Sequence, residues 1–193
     1  MKNICIIGSG SWGCALAIHA AHMGHNVKLW SFSQEEADLI NNEHKCKFLP
    51  KAVMPENILC TTDIKEAVEG TDMILHVTLS KFTRDVVRQY KDYVGDKPII
   101  LCSKGFEAST LYTLNEVVNE EVPNAKIGVF TGPSHAEEVS LEIPTAIVIA
   151  SQSLDVQYLV QDTFMNENMR IYTSSDVKGA ELGGALKDII AFC

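Results

Sequence analysis

A glycine-rich turn emerging straight from an apolar strand constrains this chain more than any other feature. Residues Asn3–Trp12 read Asn-Ile-Cys-Ile-Ile-Gly-Ser-Gly-Ser-Trp, and Gly13 completes the spacing G-x-G-x-x-G. Cys5-Ile6-Ile7 is the apolar run of a buried parallel strand. Ser11–Met23 then carries apolar residues at helical spacing. A strand, a glycine turn and a helix in this order let backbone amides approach a pyrophosphate, whose charge rests on the positive end of the helix. In that reading Gly8 makes the tight turn, Gly10 allows the close approach of phosphate, and Gly13 makes the helix–strand contact. The motif points to dinucleotide binding. A glycine turn in some other α/β protein is the bland alternative.

Strand and helix patterns alternate along the rest of the chain. Apolar runs predict strands at Asn3–Gly8, Asn26–Trp30, Met73–Thr78, Pro98–Cys102, Lys126–Phe130 and Thr145–Ala150, with a short edge strand at Arg170–Thr173. Ser33 with Glu36, Asp63 with Glu66, and Thr113 with Glu116 have the spacing of capping boxes at helix starts. Leu154–Met165 reads as an outer helix, and Val53–Glu56 as a loop beside Pro50 and Pro55. This alternation implies a Rossmann-like α/β fold: a doubly wound, mostly parallel sheet with helices on both faces. Asp176–Cys193 reads as one more helix, ending on an apolar run with no terminal glycine, basic last turn or polar tail. The expectation is a dinucleotide-binding domain over residues 1–175, and over 176–193 the first helix of a truncated helical domain. The apolar face at Ile189–Phe192, suited to packing on that domain, would otherwise drive pairing into a homodimer.

Composition excludes several classes. A formal net charge of −9 argues against a nucleic-acid surface, which needs a basic patch. No apolar stretch exceeds strand length, so no membrane span is expected, and Met1-Lys2-Asn3 lacks the apolar core of a signal peptide. The cysteines at 5, 14, 46, 60, 102 and 193 show neither C-x-x-C spacing nor a histidine cluster. They read as reduced thiols of a cytoplasmic protein without a metal.

Three further segments carry chemistry. Ser103-Lys104-Gly105 follows a strand directly, which aims Lys104 at the carboxyl edge of the sheet, where ligands of doubly wound folds sit. Surface lysines after strands are common, so Lys104 alone is a weak signal. Gly132-Pro133-Ser134 follows the next strand; Ser134 with Glu137 has capping-box spacing, and a helix start there would offer amides and a hydroxyl to substrate oxygens. His135 reads as a solvent-side or packing residue. In Glu181–Lys187, Gly183 and Gly184 lie inside a helix at a cost of roughly 1 kcal/mol each relative to alanine, plausible where the helix approaches another backbone or a ligand. Lys187 lies one turn on, and burial or a second ammonium such as Lys104 would bring its pKa into a range useful for acid–base work.

Cofactor choice turns on the residues after Trp30. Ser31, Phe32 and Ser33 present neither the acid that reads the ribose of NAD nor the arginine that often reads the 2′-phosphate of NADP. Ser31 and Ser33 suit either group and Phe32 could cover the adenine, so the expectation is NAD(P)H with a lean towards NADP. As plain loop residues they would carry no preference.

Taken in order, Gly8-Ser9-Gly10-Ser11-Trp12-Gly13, Trp30-Ser31, Phe48-Leu49-Pro50, Ser103-Lys104-Gly105, Gly132-Pro133-Ser134 and Glu181–Lys187 resemble the motifs of the bacterial NAD(P)-dependent sn-glycerol-3-phosphate dehydrogenases. The resemblance runs essentially the whole length. It implies reversible reduction of dihydroxyacetone phosphate to sn-glycerol 3-phosphate for phospholipid synthesis. It further implies dinucleotide contacts at Ser11, Trp12, Phe32, Ser33 and Ala136, and a Lys104 that meets both cofactor and substrate. Substrate contacts fall on Gly132 and Ser134, and Lys187 matches the proton-transferring lysine. Two positions depart from the family pattern: Asp188 stands where asparagine is usual, and no arginine lies near Phe32. Another two-domain dehydrogenase and a non-catalytic dinucleotide sensor are the rival readings.

Overall fold

The computed structural model describes residues 1–191, with side chains through Lys187. The side chains that follow, among them Asp188 and the apolar run Ile189–Phe192, lie outside the described residues. One mixed sheet of eight strands forms the spine. In chain order the strands are β1 (Asn3–Ile7), β2 (Asn26–Trp30), β3 (Ile58–Thr61), β4 (Met73–His76), β5 (Ile99–Leu101), β6 (Ile127–Thr131), β7 (Thr145–Ala150) and β8 (Met169–Ser174). The helices are α1 (Ser11–His22), α2 (Gln34–Glu43), α3 (Ile64–Val68), α4 (Thr83–Tyr90), α5 (Leu114–Glu121), α6 (Ala136–Ser140), α7 (Leu154–Phe164) and α8 (Val177–Ala191).

Across the sheet the order is β3-β2-β1-β4-β5-β6-β7-β8, parallel except between β6 and β7. Chain order reverses between β1 and β4, the switch point at which this class of sheet opens a crevice beyond its carboxyl ends. Side-chain alternation sorts the core into two layers. Ile4 and Ile6 of β1 pack with Leu29, Leu75 and Leu16 on one face. Cys5 and Ile7 point the other way, towards Ile74, Val87 and Tyr90. These four side chains of β1 are fully buried, as the apolar run requires, while Asn3 at its start is exposed.

The sequence-predicted strands all form, within a residue or two at their ends, and β8 is the edge strand expected near residues 170–173. Two elements escape the sequence reading. β3 is only four residues long, too short a run to stand out, and it pairs with β2 alone at the sheet edge. Helix α4 starts after Phe82, which offers no side-chain cap. Thr113 and Glu116 form the reciprocal capping box expected of them. The other two are half-boxes: Ser33 and Asp63 cap α2 and α3, but Ser31 Oγ and Thr61 Oγ1 take the amide protons of Ser33 and Asp63. The carboxylates of Glu36 and Glu66 therefore turn elsewhere. Cys5, Cys14, Cys46, Cys60 and Cys102 are buried free thiols. No helix among the described residues is long and apolar enough to cross a membrane.

Candidate dinucleotide and substrate site

Within one turn of backbone, the glycine loop shows why two of its positions lack side chains. Gly8 adopts φ +122°, donates its N–H to Trp30 O at 3.0 Å, and has Val77 O 3.0 Å from where a Cβ would stand. At Gly13 a methyl group would lie 1.8 Å from Gly8 O, so the start of α1 presses on the turn before it. Gly10, the N-cap of α1, has open space around it, and no side chain caps the helix there. The first-turn amides of α1 therefore face outward, on the positive end of a twelve-residue helix. Trp12 adds an indole Nε1 that is buried without a hydrogen-bond partner among the described residues. An unclaimed donor beside exposed amides fits an anionic dinucleotide.

Ser11 and Trp12 open onto a cleft of about 420 Å³, lined also by Lys104, Ser134, His135 and Ala136. Val77 and Thr78, directly after β4, line it as well. At the end of β4, His76 is fully buried between Tyr90 Oη and Thr78 Oγ1, and burial pushes its pKa down to about 3. The ring is therefore neutral. Ser103 Oγ donates to Thr78 O, which clips the Lys104 loop onto this segment. Gly105 continues the loop at φ +121°, with Ser80 Oγ 2.9 Å from where its Cβ would stand.

Lys104 reaches across the sheet edge and donates to Gly132 O at 3.3 Å. Gly132 is confined in turn, since a side chain there would strike Ala146 O at 2.8 Å. Gly184 of α8 has Thr131 Oγ1 2.7 Å and Lys104 Cγ 3.7 Å from where a methyl would sit. Lys187, one turn further on, lines a second cleft of about 480 Å³ with Thr131, Gly132, Ser174, Asp176 and Gly184. The Lys104–Gly132 contact thus joins a residue of the first cleft to one of the second. Among the described residues, Gly184 of the pair makes a close approach and Gly183 has nothing within 4 Å.

Several sequence-predicted roles change. Ser134 caps nothing: α6 starts at Ala136, His135 precedes it, and no side chain bonds its first turn. The Ser134–Glu137 capping box is therefore corrected to a buried serine whose own N–H bonds Gly132 O at 2.9 Å. His135 is exposed, on the solvent side, although it lines the first cleft. Phe32 is 82% exposed beside the glycine loop, and Ser33 serves as the N-cap of α2. Thr131, whose buried Oγ1 has no partner among the described residues, was missed. Its signal in the sequence was only that it precedes Gly132.

Fold and crevice together define a Rossmann-like α/β domain with a glycine loop at its switch point. A family model described as NAD-dependent glycerol-3-phosphate dehydrogenase N-terminus matches residues 3–157, and the chain belongs to that family. Curated relatives named glycerol-3-phosphate dehydrogenase [NAD(P)+] include that of Bacillus pumilus, 43% identical over 99% of this chain and 57% of its own length. That of Fusobacterium nucleatum is also 43% identical, over 99% of this chain and 58% of its own. The crystal structure of glycerol-3-phosphate dehydrogenase from Coxiella burnetii superposes with a TM-score of 0.93 at 32% identity, covering 98% of this chain and 59% of that one. The chain thus spans somewhat under three fifths of the length of these relatives.

Proposed function

We propose that this chain binds NAD(P)H and forms the cofactor half of an enzyme that interconverts dihydroxyacetone phosphate and sn-glycerol 3-phosphate. The observation that carries the reading is the Lys104 Nζ–Gly132 O contact, backed by Gly184, which joins a residue of the first cleft to residues of the second. It unites three separate segments at the carboxyl edge of the sheet, next to the glycine loop. Ser11, Trp12, Phe32, Ser33 and Ala136 line the cofactor's path, with the amides of α1 meeting the pyrophosphate. When bound, the dinucleotide supplies or accepts the hydride. Lys187 hands a proton to the substrate oxygen that gains negative charge, and Lys104 stabilises that charge. Gly132 and Ser134 hold the substrate. The role is cytoplasmic and feeds glycerophospholipid synthesis.

Residues 176–193 begin a helical substrate domain in this reading, and the remainder of that domain grips the phosphate. The 193-residue chain therefore binds cofactor but turns over little or no substrate. Calorimetric titration with NADH and NADPH, followed by dihydroxyacetone phosphate on the saturated protein, tests this. Cofactor binding without substrate binding is the expected result. Full turnover by this chain alone would overturn the division of labour. In a full-length protein, Lys187→Ala is expected to lower kcat by about 10²–10⁴-fold with cofactor affinity kept.

A further inference from the structure

Glu36 stands at the third position of α2, with Ser33 as N-cap, and by spacing its carboxylate should return to the Ser33 amide. Ser31 Oγ has taken that amide at 3.1 Å. Glu36 Oε2 lies instead 2.6 Å from Ser9 Oγ and 3.1 Å from Ser31 Oγ, and the two hydroxyls are 2.8 Å apart. Each hydroxyl has one proton to give, so not all three contacts are hydrogen bonds at once, and Oε1 takes none of these protons. Ser9 sits between Gly8 and Gly10, and fully buried Ser31 directly follows β2. The carboxylate is therefore fixed at the carboxyl end of β2, against the glycine loop. No lysine, arginine or histidine among the described residues pairs with it.

In a fold of this class the adenosine ribose passes that point, and an acid there accepts its 2′-hydroxyl. We propose that Glu36 sets cofactor choice, favouring the 2′-hydroxyl of NAD(H) and rejecting the 2′-phosphate of NADP(H). This rests on the dinucleotide reading above. It reverses the lean towards NADP drawn from Ser31–Ser33, which assumed that no acid reached the site. A carboxylate without a cation beside it meets a phosphate dianion as a like charge, and exclusion of the competitor is an ordinary route to specificity. Ser9 and Ser31 are positioning residues that hold the charge in place.

The test compares Kd values for NADH and NADPH on the 193-residue chain, on Glu36→Gln and on Glu36→Ala. The unaltered chain is expected to prefer NADH by at least about tenfold, which is about 1.4 kcal/mol. Both variants, with melting temperatures near that of the parent, should lose most of that preference by gaining NADPH affinity. Equal or tighter NADPH binding by the unaltered chain overturns the proposal. So do variants that weaken both cofactors in proportion, because Glu36 would then be only a latch for the loop. A shift with alanine and none with glutamine overturns it too, since room rather than charge would be the cause. If neither cofactor binds the unaltered chain, the dinucleotide reading itself falls.

Discussion

The two ends of the crevice are built in opposite ways. At the glycine end, six consecutive residues make the turn, and the tightest contact, Gly13 on Gly8 O, spans five positions of sequence. At the lysine end, Lys104, Gly132 and Gly184 come from three segments far apart in the sequence. The first is a backbone device, whose shape follows from missing Cβ atoms. The second is a tertiary junction, which exists only if β5, β6 and α8 arrive together. A fault in the first should be severe and local. Faults in the second should be graded and should act at a distance.

The harshest way to break the comparison is Gly13→Ala. A methyl 1.8 Å from a carbonyl oxygen cannot be relieved by a rotamer, so the start of α1 must shift. The expected loss is about 3 kcal/mol in urea unfolding, together with loss of NADH binding. Gly10→Ala is its partner, with no neighbour to strike. It should change stability by about 1 kcal/mol or less and still weaken cofactor binding. Equal destabilisation by the two changes would mean that the loop is held by something other than steric contact.

A milder pair probes the junction. Gly183→Ala meets nothing and should stabilise α8 by about 1 kcal/mol through helix propensity. Gly184→Ala has the same propensity gain but must displace the Thr131 hydroxyl, so thermal melting should show most of that gain lost. If both alanines stabilise equally, α8 does not press on β6.

The gentlest probe is pH. Glu107, in the loop that carries Lys104, accepts two bonds from Arg84 at 2.7 and 2.8 Å and one from Thr110 at 2.7 Å. Those partners, Arg84 foremost, lower its pKa to about 2. A carboxyl whose folded pKa is depressed adds stability above its unfolded value near 4.5, and that stability is lost as pH falls towards 2. Hydrogen exchange should therefore rise first over residues 104–113 in that window, while α1 stays protected. Glu107→Gln should bring the same loosening at neutral pH. Simultaneous opening of α1 and the loop would erase the distinction between the two ends.

Legibility in the sequence follows the same division. The glycine loop, the buried strands and the Thr113–Glu116 box were readable, because each depends on residues within a few positions of one another. The roles of Ser134 and Glu36 were misread for one reason: spacing says which partners are within reach, not which partner wins. At Ser33 a nearer hydroxyl took the amide and released Glu36 towards the glycine loop. At Ser134 the helix simply began two residues later.

By itself, then, the sequence determined the mostly parallel doubly wound class and the glycine turn after β1, and it named Lys104, Gly132, Ser134 and Lys187 as candidates that the fold places along the two clefts. Steric exclusion and period-two burial act within a segment, so they survive being read in one dimension. Only the tertiary structure decided that Lys104 lies on Gly132 under Gly184, that Gly183 is open, and that a carboxylate stands at the end of β2. Those outcomes depend on competition among polar partners from distant segments, and that competition takes place only once the sheet has assembled.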